Sequence, residues 1–285
     1  MIKKLDLDWF LKRTNELGWV PNFYLSKPYL LVSSPQLEHW GNWVILLDNS
    51  FSLFPPVPVE NEICPPESLF EDLLLKIWSD VEGWEPWRDK LSPVFLDWEY
   101  IFDSKNFKKM EGGHWETFRK NSRKWERRQP QKYPPVLIDS EVLPSYMEKE
   151  IQKLLAEWLE EKADSMEDSE TMVEYLLSNP PGASIKYLMV KDRLYAILAW
   201  DYSRTYINFR YCITRPGERF LEEYVRLKFY LLPEVQQSNL LVNDGGSVGN
   251  EGLERFKDKM NPVKKRKVFS WIYKGIFEGG KGNEN

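Results

Sequence analysis

The sequence predicts an α+β or α/β chain built as two halves, each a mixed sheet flanked by helices. Three observations carry this reading. Residues 185–190, 194–202 and 205–213 are consecutive apolar, β-branched and aromatic runs, joined by turns at Lys191-Asp192-Arg193 and Ser203-Arg204. A helical stretch then opens at Arg215-Pro216-Gly217 and runs to Leu232, where Pro233 stops it. A short apolar strand, a glycine-rich turn and a helix start near Glu251 follow. Both halves run strands, helix, strand, helix, so they read as structural cousins although no sequence repeat is visible. With 285 residues the chain is long enough for one large domain or two ordinary ones. The pattern divides it into a first half at residues 1–103, basic connecting helices at 104–131 and a second half at 132–285.

Residues 5–17 place apolar and charged positions on a helical period and stop at Gly18. Residues 29–32, 43–47 and 51–54 read as strands, the last two joined by hairpin chemistry at Asp48-Asn49-Ser50. Five prolines between 55 and 66 exclude regular structure until Ser68-Leu69-Phe70-Glu71 supplies a capping box for a helix running towards Asp80. Trp84, Pro86 and Trp87 mark a loop, and residues 94–102 read as a buried strand. Residues 103–129 give a short helix, a Gly112-Gly113 break and a longer helix ended by Pro130. After a strand at 136–138, Met147, Ile151, Leu154, Leu155, Trp158 and Leu159 recur at helical spacing, and a further helix ends at Asn179-Pro180-Pro181-Gly182. Residues 268–273 form a last strand.

The formal charge of -5 hides an asymmetry, with acids crowded between 148 and 174 and bases between 105 and 132 and between 257 and 267. On the long basic helix Trp115, Phe118, Ser122 and Trp125 share one face. Arg119, Arg123 and Arg127 form one i, i+4 stripe, and Lys120, Lys124 and Arg128 the next. Like charges at that spacing weaken an isolated helix, so the ridge points to a polyanion partner, with a merely solvated face as the other reading. Cys64 and Cys212 lack metal or disulfide spacing, and His39 and His114 are the only histidines, which argues against a metal centre, a Ser-His-Asp triad or a Cys-His pair. No stretch has the order of a signal peptide or the length of a membrane span, so a cytoplasmic protein is expected.

The stretch from residue 239 to 262 packs a strand, a glycine loop and a helix start into two dozen residues. Amides of such a loop, with the positive end of a helix, suit a phosphate, a carboxylate or a developing oxyanion. The loop lacks the Gly-Lys-Ser/Thr ending of a P-loop, and its glycines do not fit the dinucleotide fingerprint.

The strand order from Ile185 onward resembles the GNAT (Gcn5-related N-acetyltransferase) fold. Taken together, Tyr100-Ile101-Phe102-Asp103, Arg119-Lys120-Asn121 and the closing block Asn243, Gly249, Glu251-Gly252-Leu253, Lys257 and Asn261-Pro262 resemble the phosphatidylglycerol lysyltransferase C-terminal-type family, a tandem GNAT architecture akin to the Fem aminoacyltransferases. The resemblance covers about residues 95–275, and the first part is compatible with a divergent first GNAT half. A coenzyme A loop of the form Arg/Gln-x-x-Gly-x-Gly/Ala is replaced by Thr214-Arg215-Pro216-Gly217-Glu218-Arg219, which disfavours coenzyme A. The resemblance implies transfer of an aminoacyl or acyl group from an activated ester such as aminoacyl-tRNA to an amine or hydroxyl.

On that footing Asn243, Glu251 and Lys257 are the expected catalytic residues: Asn243 as oxyanion or acceptor ligand, Lys257 as electrostatic stabiliser, Glu251 as orienting group or proton acceptor. The loop amides of Gly245, Gly246 and Ser247, with Asn261, are expected to hold substrate. Arg119, Lys120, Arg123, Lys124 and Arg127, with Lys264 and Lys265, are expected to hold a nucleic acid, because clustered cations near aromatics suit phosphate contacts. That nucleic acid is either a tRNA donor or the acceptor of an amino acid:DNA transferase in phage base hypermodification. A GNAT scaffold that binds nucleic acid without catalysis is the competing expectation, since fold does not fix chemistry.

Overall fold

The computed structural model describes residues 7–19, 23–48, 51–52, 54–60, 77–78, 91–142, 147–162, 168–247 and 249–273. It forms two compact units, one of residues 1–99 with 266–285 and one of residues 100–265. The basic helices after residue 103, which the sequence pattern sets apart as a connector, lie inside the second unit.

In the first unit helix α1 (Leu7–Glu16) buries Phe10 and is followed by α2 (Lys27–Ser33). Residues 29–32, expected as a strand, are helical, because Pro28 in the first turn is already set for the helix while four apolar residues carry no decisive period. Strand β1 (Gln36–Trp40) pairs antiparallel with β2 (Trp43–Asp48), whose residues 43–46 are fully buried. The polar composition of β1 hides it from the sequence. Strand β2 also pairs with β3 (Phe51–Ser52) and β4 (Val57–Pro58). Strand β5 (Ile77–Trp78) lies where the helix towards Asp80 is expected; the rest of that helix, the loop at 84–87 and the turn residues 49–50 fall outside the described residues. Strand β6 (Leu91–Phe102) begins in this unit, where the buried carboxylate of Glu99 accepts from the Phe23 amide at 3.1 Å and from the Arg266 guanidinium.

The second unit is built on strands β7 (Val136–Asp139), β8 (Ala183–Val190), β9 (Arg193–Tyr202) and β10 (Tyr206–Thr214), each antiparallel to the next. Strand β11 (Leu241–Asn243) adds parallel to β10, and the end of β6 pairs antiparallel to β11. Helices α3 (Ser104–Lys109) and α4 (Glu116–Arg128) follow β6, α5 (Met147–Lys162) and α6 (Ser169–Ser178) join β7 to β8, and α7 (Leu221–Tyr230) and α8 (Pro233–Gln237) join β10 to β11. Helix α7 starts later than expected because Phe220, with φ of 72°, cannot be helical. Pro233 opens α8 besides ending the longer helix, being suited to a first turn. Helix α4 buries Phe118, Ser122 and Trp125, the face its spacing predicts, and packs on α7. The core is strongly aromatic: Phe209 stacks on Phe229 with centroids 4.0 Å apart, and Phe107 on Tyr230 at 3.7 Å.

One irregularity positions the site. Strand β10 matches β11 only through Tyr206, Ile207 and Asn208, opposite Leu241, Val242 and Asn243, while it continues along β9 to Thr214. The two parallel strands therefore part after Asn208 and Asn243, and a bulge between Phe209 and Tyr211 marks the same point on the β9 side.

Candidate functional site

Strand β11 carries Asn243 to the fork and the chain turns at once into the glycine loop. Asn243 is fully buried, and its Oδ1 accepts from the Gly245 amide at 3.0 Å, a turn that Asn favours and that needs the positive φ of Gly245, 63°. Tyr100 anchors the loop from β6, its carbonyl accepting from the Asp244 amide and its amide donating to the Gly245 carbonyl.

The Asp244 side chain is the electrostatic centre. It is 5 % exposed and accepts from Arg226 Nη1, from Tyr230 Oη at 3.0 Å and from Lys257 Nζ at 3.2 Å. Burial pushes its carboxyl up, but Arg226 and Lys257 outweigh that and hold it below the usual carboxylate range. Lys257, buried on helix α9 (Glu251–Lys259), also donates to the carbonyls of Asp244, Gly245 and Gly246. An ammonium has three donors. All are engaged by the loop, so Lys257 shapes the loop and leaves no proton pointing at a substrate. Desolvation likewise pushes the Cys212 thiol up from its ordinary range.

The other expected residues separate from this cluster. Glu251 lies in the first turn of α9, exposed, with its carboxylate on Arg255 at 2.6 Å, and Asn250 caps the helix by accepting from the Leu253 amide. Its geometry is that of a helix-surface ion pair. Asn261 is exposed beyond α9 with φ of 56°, its amide on the Asp258 carbonyl. Ser247 is buried and accepts the Asn250 amide through its carbonyl. Gly246 contributes the carbonyl held by Lys257.

The polyanion residues divide. Lys120, Arg123, Lys124, Arg127 and Arg128 are exposed on α4 and form no ion pair among the described residues, whereas Arg119 donates to the Met110 carbonyl. The basic run at 264–267 is a correction: it starts strand β12 (Lys264–Tyr273) instead of preceding a strand. Strand alternation breaks it up, since Arg266 is buried on Glu99 and Lys265 is bound to Asp258 at 3.0 Å and Glu254 at 3.9 Å.

A second buried group is absent from the sequence reading. Asp201 on β9 lies opposite Asn208, which lies opposite Asn243, so the three form a row across adjacent strands. Asp201 is bidentate to Arg210, at 2.7 and 3.2 Å, and accepts from Asn208 Nδ2 at 2.9 Å and Tyr175 Oη at 3.0 Å. Asn208 Oδ1 is buried at the fork without a hydrogen-bond partner among the described residues. The available signal is an Asp and an Arg inside otherwise apolar strands. Among the described residues no group of His, Cys, Asp and Glu could hold a metal ion, and no helix is long and apolar enough to cross a membrane.

No family model and no curated protein matches the chain. Solved structures do. A conserved protein of unknown function from Bacteroides thetaiotaomicron is similar with a TM-score of 0.68 at 14 % identity, covering 95 % of this chain and 98 % of that one. L-PGS from Bacillus licheniformis is similar with a TM-score of 0.63 at 14 % identity, covering 94 % and 92 %. A tandem GNAT protein from the clavulanic acid biosynthesis pathway is similar with a TM-score of 0.50 at 11 % identity, covering 94 % and 93 %. At these identities the likeness is one of fold, and the fold is of the tandem GNAT type.

Proposed function

We propose, from the premise of a tandem GNAT fold, that the chain transfers an aminoacyl or acyl group from an activated ester to an amine or hydroxyl. The observation that carries this is the fork between β10 and β11, where Asn208 and Asn243 lie side by side. Beyond Asn208 the β11 side of β10 has no strand partner among the described residues, so backbone amides of that edge can meet a developing oxyanion. The acceptor nitrogen or oxygen attacks the ester carbonyl, the tetrahedral intermediate expels the donor alkoxide, and the acceptor's proton ends on that leaving oxygen. No covalent bond to the protein is required.

In this reading Asn243 fixes the loop at the fork and Asp244, Arg226 and Lys257 keep it rigid, so that binding energy goes into orientation. The donor is an aminoacyl-tRNA or another activated ester, and the exposed cations of α4 hold its phosphates. A second reading, a GNAT scaffold that binds nucleic acid without catalysis, is favoured by one observation: the donors of Lys257 are taken and Glu251 is turned to solvent.

Intact-mass analysis separates the two. After incubation with aminoacyl-tRNA, a mass-shifted acceptor, duplex DNA carrying hydroxymethyl bases included, is expected with the native chain. Because Asn243 acts by holding the loop, Asn243→Ala should lower transfer by up to about 10²-fold, the scale of a misplaced reacting group. Nucleic-acid binding without any mass shift across the acceptors would leave the binding-only reading standing.

A further inference from the structure

Strand β7 is the outer strand of the second unit's sheet: β8 pairs with one side of it, and no strand pairs with the other among the described residues. Such a side presents unpaired amides and carbonyls, a template for one more strand. Its side chains are mostly apolar, where an edge facing solvent is commonly charged. Val136 is 51 % exposed, Leu137 and Ile138 are half-buried, and Asp139 alone carries charge. Pro134 and Pro135 precede the strand and a single 3-10 turn, Ser140–Val142, follows it.

The two ends of β7 carry opposite charge. Ahead of Val136, the Tyr133 ring lies 5.5 Å from the Lys132 ammonium and 5.4 Å from that of Lys191. Lys191 belongs to the turn after β8, where Asp192 and Arg193 offset each other. Beyond Ile138 the balance reverses. Asp139 and Glu234 share the single ammonium of Lys186, the second at 3.4 Å, and Glu141 is exposed with no ion pair among the described residues.

An edge that is apolar in the middle, cationic at one end and anionic at the other is complementary to itself turned end for end. A two-fold axis normal to the sheet produces that arrangement and sets the two strands antiparallel. The axis keeps each side chain on its own face, and opposed residues share a face, so only positions an even number apart can stand opposite. With Leu137 on the axis, Val136 faces Ile138 of the second copy, and the Lys132 end meets its Glu141 end. Rotation about one axis closes the pair, so no chain of copies grows from this edge.

We infer that the free edge of β7 is a self-association surface, on which a second copy of this chain adds its own β7 antiparallel and extends the sheet. The surface is independent of the acyl-transfer reading, since β8 and β9 separate it from the fork and none of its residues lies there.

Sedimentation velocity of the full chain over a concentration series tests it. A reversible monomer–dimer equilibrium is expected, with a Kd of roughly 10–100 µM for a contact this small, weakening as salt screens the end charges. Val136→Lys, at an exposed position, should keep the melting temperature and abolish the dimer. Glu141→Lys should weaken the dimer about tenfold, because the axis makes one substitution count twice. Adding Lys132→Glu should restore it, with the signs of the pair exchanged. Amide hydrogens of residues 136–139 should exchange more slowly as concentration rises. A chain that stays monomeric up to about 500 µM, or a dimer that survives Val136→Lys, overturns the inference. So does a double variant no tighter than Glu141→Lys alone, which would remove the end-for-end pairing.

Discussion

A buried ammonium ringed by carbonyls and a carboxylate marks Lys257 as a clamp whose removal is felt first in stability. Lys257→Met leaves Asp244 and the loop carbonyls facing an apolar side chain, so a loss of about 3–5 kcal/mol is expected. The midpoint of denaturant unfolding measures it, and an unchanged midpoint would remove the clamp. Asn243 and Gly245 are legible in the sequence because turn chemistry is local: an Asn followed two residues later by a glycine says what the backbone does. Glu251 is ambiguous in the sequence for a related reason, since a carboxylate in the first turn of a helix looks the same whether it serves a substrate or, as with the Arg255 pair seen in the fold, the helix. The Asp201, Asn208 and Arg210 group is illegible because it arises from register between strands, which no local window contains.

Among elements, those with strong patterns are readable and short ones are not. Strands β8 to β10 declare themselves by long apolar runs between short turns, and α4 by its buried face. Helix α2 and strand β1 do not, the first for want of length and the second for want of apolar residues. The outer face of α4 has a defined expectation. Its exposed cations, if they hold phosphates, each release a counterion, so binding of single-stranded nucleic acid should fall with salt. Replacing Lys120, Arg123, Lys124 and Arg127 by Ala should flatten the slope of log K against log salt by about 0.7 for each phosphate no longer neutralised. A slope that survives all four substitutions places the nucleic acid elsewhere.

For the molecule as a whole, the buried acid of Asp244 sets a pH dependence. Its carboxyl is held below the ordinary range in the folded protein and returns to about 3.9 on unfolding. The stability it contributes is therefore complete above about pH 4 and is lost as pH falls through the folded value. Thermal unfolding followed from pH 7 to pH 2 should show a steep decline below about pH 4, shallower in Asp244→Asn, whose midpoint at neutral pH is lower. Equal slopes in the two proteins would transfer the acid sensitivity to other carboxylates. The parting of β10 from β11 has a consequence of another kind. A strand with neighbours on both sides shields every amide, but beyond Asn208 β10 has β9 alone among the described residues. Along residues 209–214, amides directed at β9 should keep their hydrogens for long times while alternate ones trade them quickly with solvent deuterium, a two-residue rhythm inside one strand. A ligand lodged in the fork would erase that rhythm, and its erasure would reveal occupancy without any knowledge of what is transferred.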